Sequence, residues 1–165
     1  MDLFGKALLA IGGTLLASSA SGAPVRLFAG GSWAALDRGS SCEAAALSER
    51  IVPKGHVQAV AGFTFTPERK RWGEFYARLR RPVRPGSTVL LTVGDQPFLL
   101  VARGDYAWSR GAAQEAAIIA AVRSSGRMNI DSRDASGRRW RDPYRLDGAP
   151  TAIDAAAARC AGKMR

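Results

Sequence analysis

Two cysteines, Cys42 and Cys160, stand near opposite ends of this chain, and no third thiol competes with either. Cys160 closes the stretch that begins Tyr144-Arg145-Leu146-Asp147-Gly148-Ala149-Pro150. That stretch reads as a short strand, a turn at Asp147-Gly148 and an alanine-rich helix entered through Pro150. Proline suits a first helical position because its missing N–H would have no partner there. On the helix Ile153, Ala156, Ala157 and Cys160 fall at i, i+3, i+4 and i+7, one apolar stripe. Cys160 is therefore expected to face the core. A bridge to Cys42 needs Cα atoms within about 7 Å, so the terminal helix is expected to pack beside the segment after Trp33.

Whether the two sulfurs bond depends on the compartment. Lys6 precedes an apolar run from Ala7 to Ala17, and the small residues Ser18 to Ala23 follow. Basic, apolar, small is the order of a secretory signal, and the run is shorter than the about 20 residues of a membrane span. Cleavage after Ala20, Gly22 or Ala23 fits the small-residue rule. The expected organisation is a signal peptide over 1–23 and a single exported β-rich domain over 24–165, periplasmic or secreted and not membrane-spanning. In an oxidising space an even pair of cysteines in a small domain is ordinarily a disulfide.

The periodicity between the cysteines is mostly two. Ser32 to Asp37 reads as a short strand anchored by Trp33, and Cys42 to Ser48, whose alanines allow helix or strand, is taken as strand for its brevity. Val57, Ala59, Ala61, Phe63 and Phe65 share one face of a strand, and Phe75, Ala77 and Leu79 share one face of the next. Thr88 to Val93 and Pro97 to Ala102 are apolar on both sides, joined by the hairpin signal Gly94-Asp95-Gln96, and are expected to be central. At Gly111 the period changes: Ile118, Ile119 and Val122 mark a helix over Ala112 to Ser124. Met128, Ile130 and Ser132 then alternate in a one-sided strand. The sum is α+β, mainly β with two helices: seven or eight strands in an antiparallel sandwich-like core, with the C-terminal helix tied to the N-terminal strands by the disulfide.

Candidate chemistry is sparse. His56 is the one histidine, and no Gly-x-Ser-x-Gly elbow accompanies it, so a periplasmic hydrolase is the least supported class. Two distant cysteines and one histidine offer no metal set, and nothing implies a cofactor. Asp95, Asp105, Asp131, Asp134, Asp142 and Asp147 read mostly as turn residues. The net charge of +10 comes from 24 basic and 14 acidic residues, and arginine supplies nearly all of the former, as a GC-rich genome also would. Arg78, Arg80, Arg81 and Arg84 cluster at one strand end, and Arg138, Arg139, Arg141 and Arg145 line another, interleaved with Trp72, Tyr76, Trp140 and Tyr144. Charge with aromatics suits polyanions, so Arg78, Arg80, Arg81, Arg84, Arg138, Arg139 and Arg141 are candidate anion-binding residues. No nucleic-acid module is present. An anionic envelope polysaccharide or lipid is the chemistry such faces would take.

The order of several elements resembles a known family. These are Trp33 with Cys42, the hairpin Val93-Gly94-Asp95-Gln96-Pro97-Phe98, Ile118-Ile119 ahead of Gly126-x-Met128, and the closing Tyr144-x-Leu146-x-Gly148-Ala149-x-x-Ala152-Ile153 before Cys160. Together they are similar to the invasion-associated locus B family of exported alphaproteobacterial envelope proteins. That resemblance implies a non-enzymatic protein of the periplasm or envelope acting by binding, with an envelope or host protein as its partner and no catalytic residues. Better-known members carry further cysteines mid-chain, where this chain has none.

Overall fold

The computed structural model describes residues 23–69 and 71–164. The expected signal segment falls on residues outside these, save Ala23. Ten strands run in chain order: β1 (Val25–Gly30), β2 (Trp33–Asp37), β3 (Cys42–Leu47), β4 (Val60–Thr66), β5 (Arg71–Arg78), β6 (Val89–Val93), β7 (Gln96–Arg103), β8 (Tyr106–Trp108), β9 (Arg127–Arg133) and β10 (Arg139–Arg145). Helix α1 (Ala112–Ser124) lies between β8 and β9, and α2 (Ala149–Ala161) follows β10. All pairings are antiparallel, in the spatial order β1-β2-β3-β4-β5-β8-β7-β6-β9-β10.

The sheet curls until β10 meets its beginning. Trp33 donates its indole N–H to the Arg145 carbonyl at 2.8 Å, and the Glu49 amide donates to Pro143 at 2.9 Å. Both halves of the sheet, and both helices, then fill one core. Its centre is aromatic: Phe63 lies 6.1 Å from Trp33 and 5.3 Å, edge-on, from Phe75. Such pairs add to the apolar burial that holds the two halves together.

The period-two readings locate the inward faces well. Ala59, Ala61, Phe63, Phe65, Phe75, Ala77, Leu79, Met128 and Ile130 are all buried. α1 has the expected bounds, with Ile118 and Val122 inward. In α2, Ile153, Ala156 and Cys160 are buried and Ala157 partly so; Ala149 and Ala152 extend the stripe. Cys42 and Cys160 are bonded, 118 positions apart with Cα atoms at 5.8 Å.

Several expectations require correction. The described residues form ten strands, not seven or eight. β1 is an edge strand with no buried residue, so no alternation marks it in the sequence. Gly30 ends β1 and Gly31-Ser32 is the turn of the β1–β2 hairpin, so the strand expected from Ser32 begins at Trp33. β4 begins at Val60, leaving Val57 exposed in the preceding loop. β7 has one dry face only: Leu100 is buried, but Leu99 and Val101 are exposed on the outer side of the curled sheet. β8 is a three-residue strand that inserts between β5 and β7.

Candidate functional site

β10 carries alternate residues inward. Trp140, Asp142 and Tyr144 stand opposite Ser132, Ile130 and Met128 of β9. They descend from rim to core, Trp140 half-buried and Asp142 and Tyr144 each 1% exposed. Leu79, the next inward position after β5, brings Arg80 to the same rim. The Arg80 guanidinium carbon lies 4.6 Å from the Trp140 ring centroid, and its Nε lies 2.6 Å from Asp142 Oδ1. This is a contact of charges, since the Nε–H has no acceptor in line with it. Arg80 Nη2 donates to the Arg141 carbonyl at 3.4 Å, which also accepts from Arg50 Nε at 2.9 Å.

Burial pushes the Asp142 carboxyl above its ordinary value, and the Arg80 charge opposes that push. Removing two charges from water costs several kcal/mol per ion and is often not recovered by their attraction. The contribution of this pair is therefore positional: it holds a guanidinium over the indole. Two more guanidiniums approach the same ring, Arg138 at 4.8 Å and Arg81 at 5.9 Å. Each contact is individually worth about 0.5–1 kcal/mol at an exposed site.

The indole is fixed from its edge as well. Its N–H donates to Asp134 Oδ2 at 2.8 Å, while Asp134 Oδ1 accepts from the Ser136 hydroxyl at 2.6 Å and from the amides of Ser136 and Arg138, each at 3.0 Å. Hydrogen bonds from Ser136 and then Trp140 hold the Asp134 carboxyl at about 2, so it stays ionised at any physiological pH. Two open cavities flank this ring. One of about 330 Å³ is lined by Val52, Pro53, His56, Arg80, Arg81 and Trp140. The other, of about 390 Å³, is lined by Arg81, Pro82, Asp134, Ser136, Arg138 and Trp140. A mouth with a rigid aromatic wall and convergent guanidiniums presents bidentate donors to carboxylate, sulfate or phosphate oxygens.

The seven candidate arginines do not form one surface. Arg80, Arg81 and Arg138 gather at Trp140. Arg84 is exposed nearby, with its Nη1 close to Gly137. Arg139 and Arg141 point the other way, because neighbours on a strand alternate sides; Arg141 grips Asp131 with bonds of 2.8 and 3.1 Å. Arg78 shares that outward side and lies 3.6 Å from Asp105. Of the aromatics thought to be interleaved with them, Trp72 packs edge-on against Phe65 and Tyr144 is in the core. Among the described residues Arg81 and Arg138 have no acidic side-chain partner. Asp142 is the functional residue the sequence reading missed: it is no turn residue but an inward position of β10. The parity Trp140, Asp142, Tyr144 was the available signal.

His56 is exposed at the rim of the first cavity, which has no carboxylate, serine or cysteine side chain in its lining. Among the described residues no cluster of histidine, cysteine and carboxylate groups forms a metal site, and no helix is long and apolar enough to cross a membrane. Comparison with protein-family models, with curated proteins and with solved structures finds no match for this chain.

Proposed function

We propose that this chain is an exported, non-enzymatic binding protein of the cell envelope, and that it holds an anionic polymer such as an acidic polysaccharide at the Trp140 mouth. The observation that carries the reading is the convergence of Arg80, Arg81 and Arg138 on one indole beside open cavities. Asp142 offsets Arg80, so Arg81 and Arg138 supply the charge that a ligand meets. Hydrolysis has less support, because no nucleophile or carboxylate stands with His56 in the cavity lining.

Export is part of the same proposal. It is supported by the basic-apolar-small order at the N-terminus and by the closed Cys42–Cys160 bond, of a kind that persists in oxidising compartments. The resemblance to the invasion-associated locus B family points to the same setting, with an envelope or host protein as a further partner. The test is heparin affinity of the purified protein. Arg81→Gln/Arg138→Gln is expected to weaken binding about tenfold while the protein stays folded, its thermal midpoint lowered only by the loss of the two ring contacts, and the wild-type affinity is expected to fall with salt. Affinity that survives both the double substitution and high salt overturns the assignment of this mouth.

A further inference from the structure

Cross-strand register places three rows of side chains on the outward side of the sheet, away from α1, α2 and the Trp140 mouth. In one row Arg103 pairs with Tyr106, and Tyr106 with Arg78; in the next Val101 pairs with Trp108, and Trp108 with Tyr76. In the third Leu99 pairs with Leu90, Leu90 with Asp131 and Asp131 with Arg141. Beyond Asp131, Arg133 pairs with Arg139 on the same side. The middle of this face is apolar and wet: Val101 is 53% exposed, Leu99 47% and Tyr106 37%. The Tyr106 and Trp108 rings stack at 5.9 Å, and neither polar tip has a protein partner among the described residues. An open cavity of about 490 Å³ joins Leu90 and Leu99 to Arg133, Arg139 and Arg141.

A contiguous apolar patch on a protein surface marks an interaction site, and the charges around this one select its occupant. Arg78 and Arg103 flank one side, with Asp105 held 3.6 Å from Arg78; Arg133, Arg139 and Arg141 flank the other, with Asp131 already held by Arg141. Both flanks are basic, so a second copy laid on this face in either orientation would bring guanidinium against guanidinium. An anionic bilayer meets every part of the pattern. Aliphatic side chains enter the acyl boundary, tyrosine and tryptophan rings prefer the headgroup level, and flanking arginines meet lipid phosphates.

We propose that the outward face of β6, β7 and β8 docks on an anionic lipid surface through Leu99, Val101, Tyr106 and Trp108, with Arg78, Arg103, Arg133 and Arg139 on the headgroups. This surface is separate from the Trp140 mouth, and the protein would hold its polymer on one side while resting on a membrane with another. The probe is sedimentation of the full protein with vesicles of phosphatidylcholine alone or with phosphatidylglycerol added. The protein is expected to sediment with the mixed vesicles and to stay free with the neutral ones. Arg103→Gln and Arg139→Gln each lower partitioning about fivefold. Leu99→Ser/Val101→Ser removes the fraction of binding that resists salt. All of these positions are exposed, and an unchanged thermal midpoint confirms that each variant is folded. Arg81→Gln/Arg138→Gln retains vesicle binding, which separates failure here from failure at the mouth. Equal binding to neutral vesicles, indifference to the arginine substitutions, dependence on Arg81 and Arg138, or no binding at all would overturn the proposal. So would a concentration-dependent dimer that Leu99→Ser/Val101→Ser abolishes, since that would assign the face to a second copy.

Discussion

Asp37 ends β2, 6% exposed, and three groups converge on it. Arg159 Nε of α2 donates to one carboxylate oxygen at 2.6 Å; Lys163 Nζ and the Gly39 amide bond the other. Lys163 also reaches the Gly39 carbonyl at 2.8 Å. Side-chain hydrogen bonds from Lys163 and then Arg159 hold the Asp37 carboxyl well below the usual carboxylate range, against the opposing push of burial. A depressed folded value means that the unfolded chain takes the proton first. The stabilisation is therefore complete above the unfolded value of about 3.9 and is lost as pH falls below it toward the folded value. Asp142 has the opposite sign: burial raises its carboxyl, so folding favours its proton, and part of the stability is lost as pH rises from the unfolded value toward the folded one. Asp37→Asn is expected to lower unfolding free energy at pH 7 by about 1.5–3 kcal/mol, the range for hydrogen bonds to charged groups. The difference from wild type should shrink as pH is lowered from 5 toward 2. Urea melts across that interval check it; a difference that grows in acid would show that Asp37 is not the anchor.

Two turns lock the hairpin of β1 and β2 to the junction of β10 and α2. Ser32 donates its amide to the Asp147 carbonyl at 3.0 Å and its hydroxyl to Asp147 Oδ1 at 3.1 Å. Gly148 has φ 86°, and a Cβ there would overlap the Gly30 carbonyl. Gly31, at φ 58°, is pressed in the same way against Asp147. Gly148→Ala must accept both a left-handed backbone and that overlap. It is expected to destabilise the protein by at least about 2 kcal/mol, whereas Gly39→Ala, at φ 84° with open space around it, is expected to cost about half as much. Chemical melts of the pair decide it, and equal losses would remove close packing as the cause. This lock gives the element Tyr144-x-Leu146-x-Gly148 a physical reason that its sequence alone did not supply. What was legible were elements with one wet face: β4, β5 and β9 announce their inward residues by alternation, and α1 and α2 by their stripes. β1, β8 and the outer side of β7 were not, because an edge strand, a three-residue strand and a convex apolar face have no distinguishing period. At the site, Trp140 and its arginines could be singled out as residue types. Their separation from Arg139 and Arg141 needed strand parity, and Arg80 beside Asp142 needed the curl of the sheet.

On the scale of the whole molecule, one covalent bond ties the start of the sheet to the last turn of the last helix. Cys42 opens β3, the third strand of the order, and Cys160 lies on the buried stripe of α2, whose inward side is otherwise mainly alanine. Alanine packs closely but removes little apolar area from water, so such a helix docks weakly for its length. Besides the bond, α2 has Ile153, the Asp37 anchor and the ion pair of Arg123 with Asp154 to hold it. Closing a loop across 118 positions constrains the unfolded chain by about 4–5 kcal/mol in the loop-entropy model, and measured losses in small secreted domains are about 2–5 kcal/mol. Cys160→Ser is accordingly expected to lower unfolding free energy by about 3–4 kcal/mol, most of a marginal domain's stability. Added reductant should lower the wild-type protein to the same level and leave the variant unchanged. Hydrogen exchange should show the loss spread over the β2–β3–β4 side of the sheet as well as α2, because the constraint acts on the unfolded ensemble and not on one contact. Protection lost from α2 alone, with the global melt unmoved, would show instead that the bond clips a helix onto a sheet that folds without it.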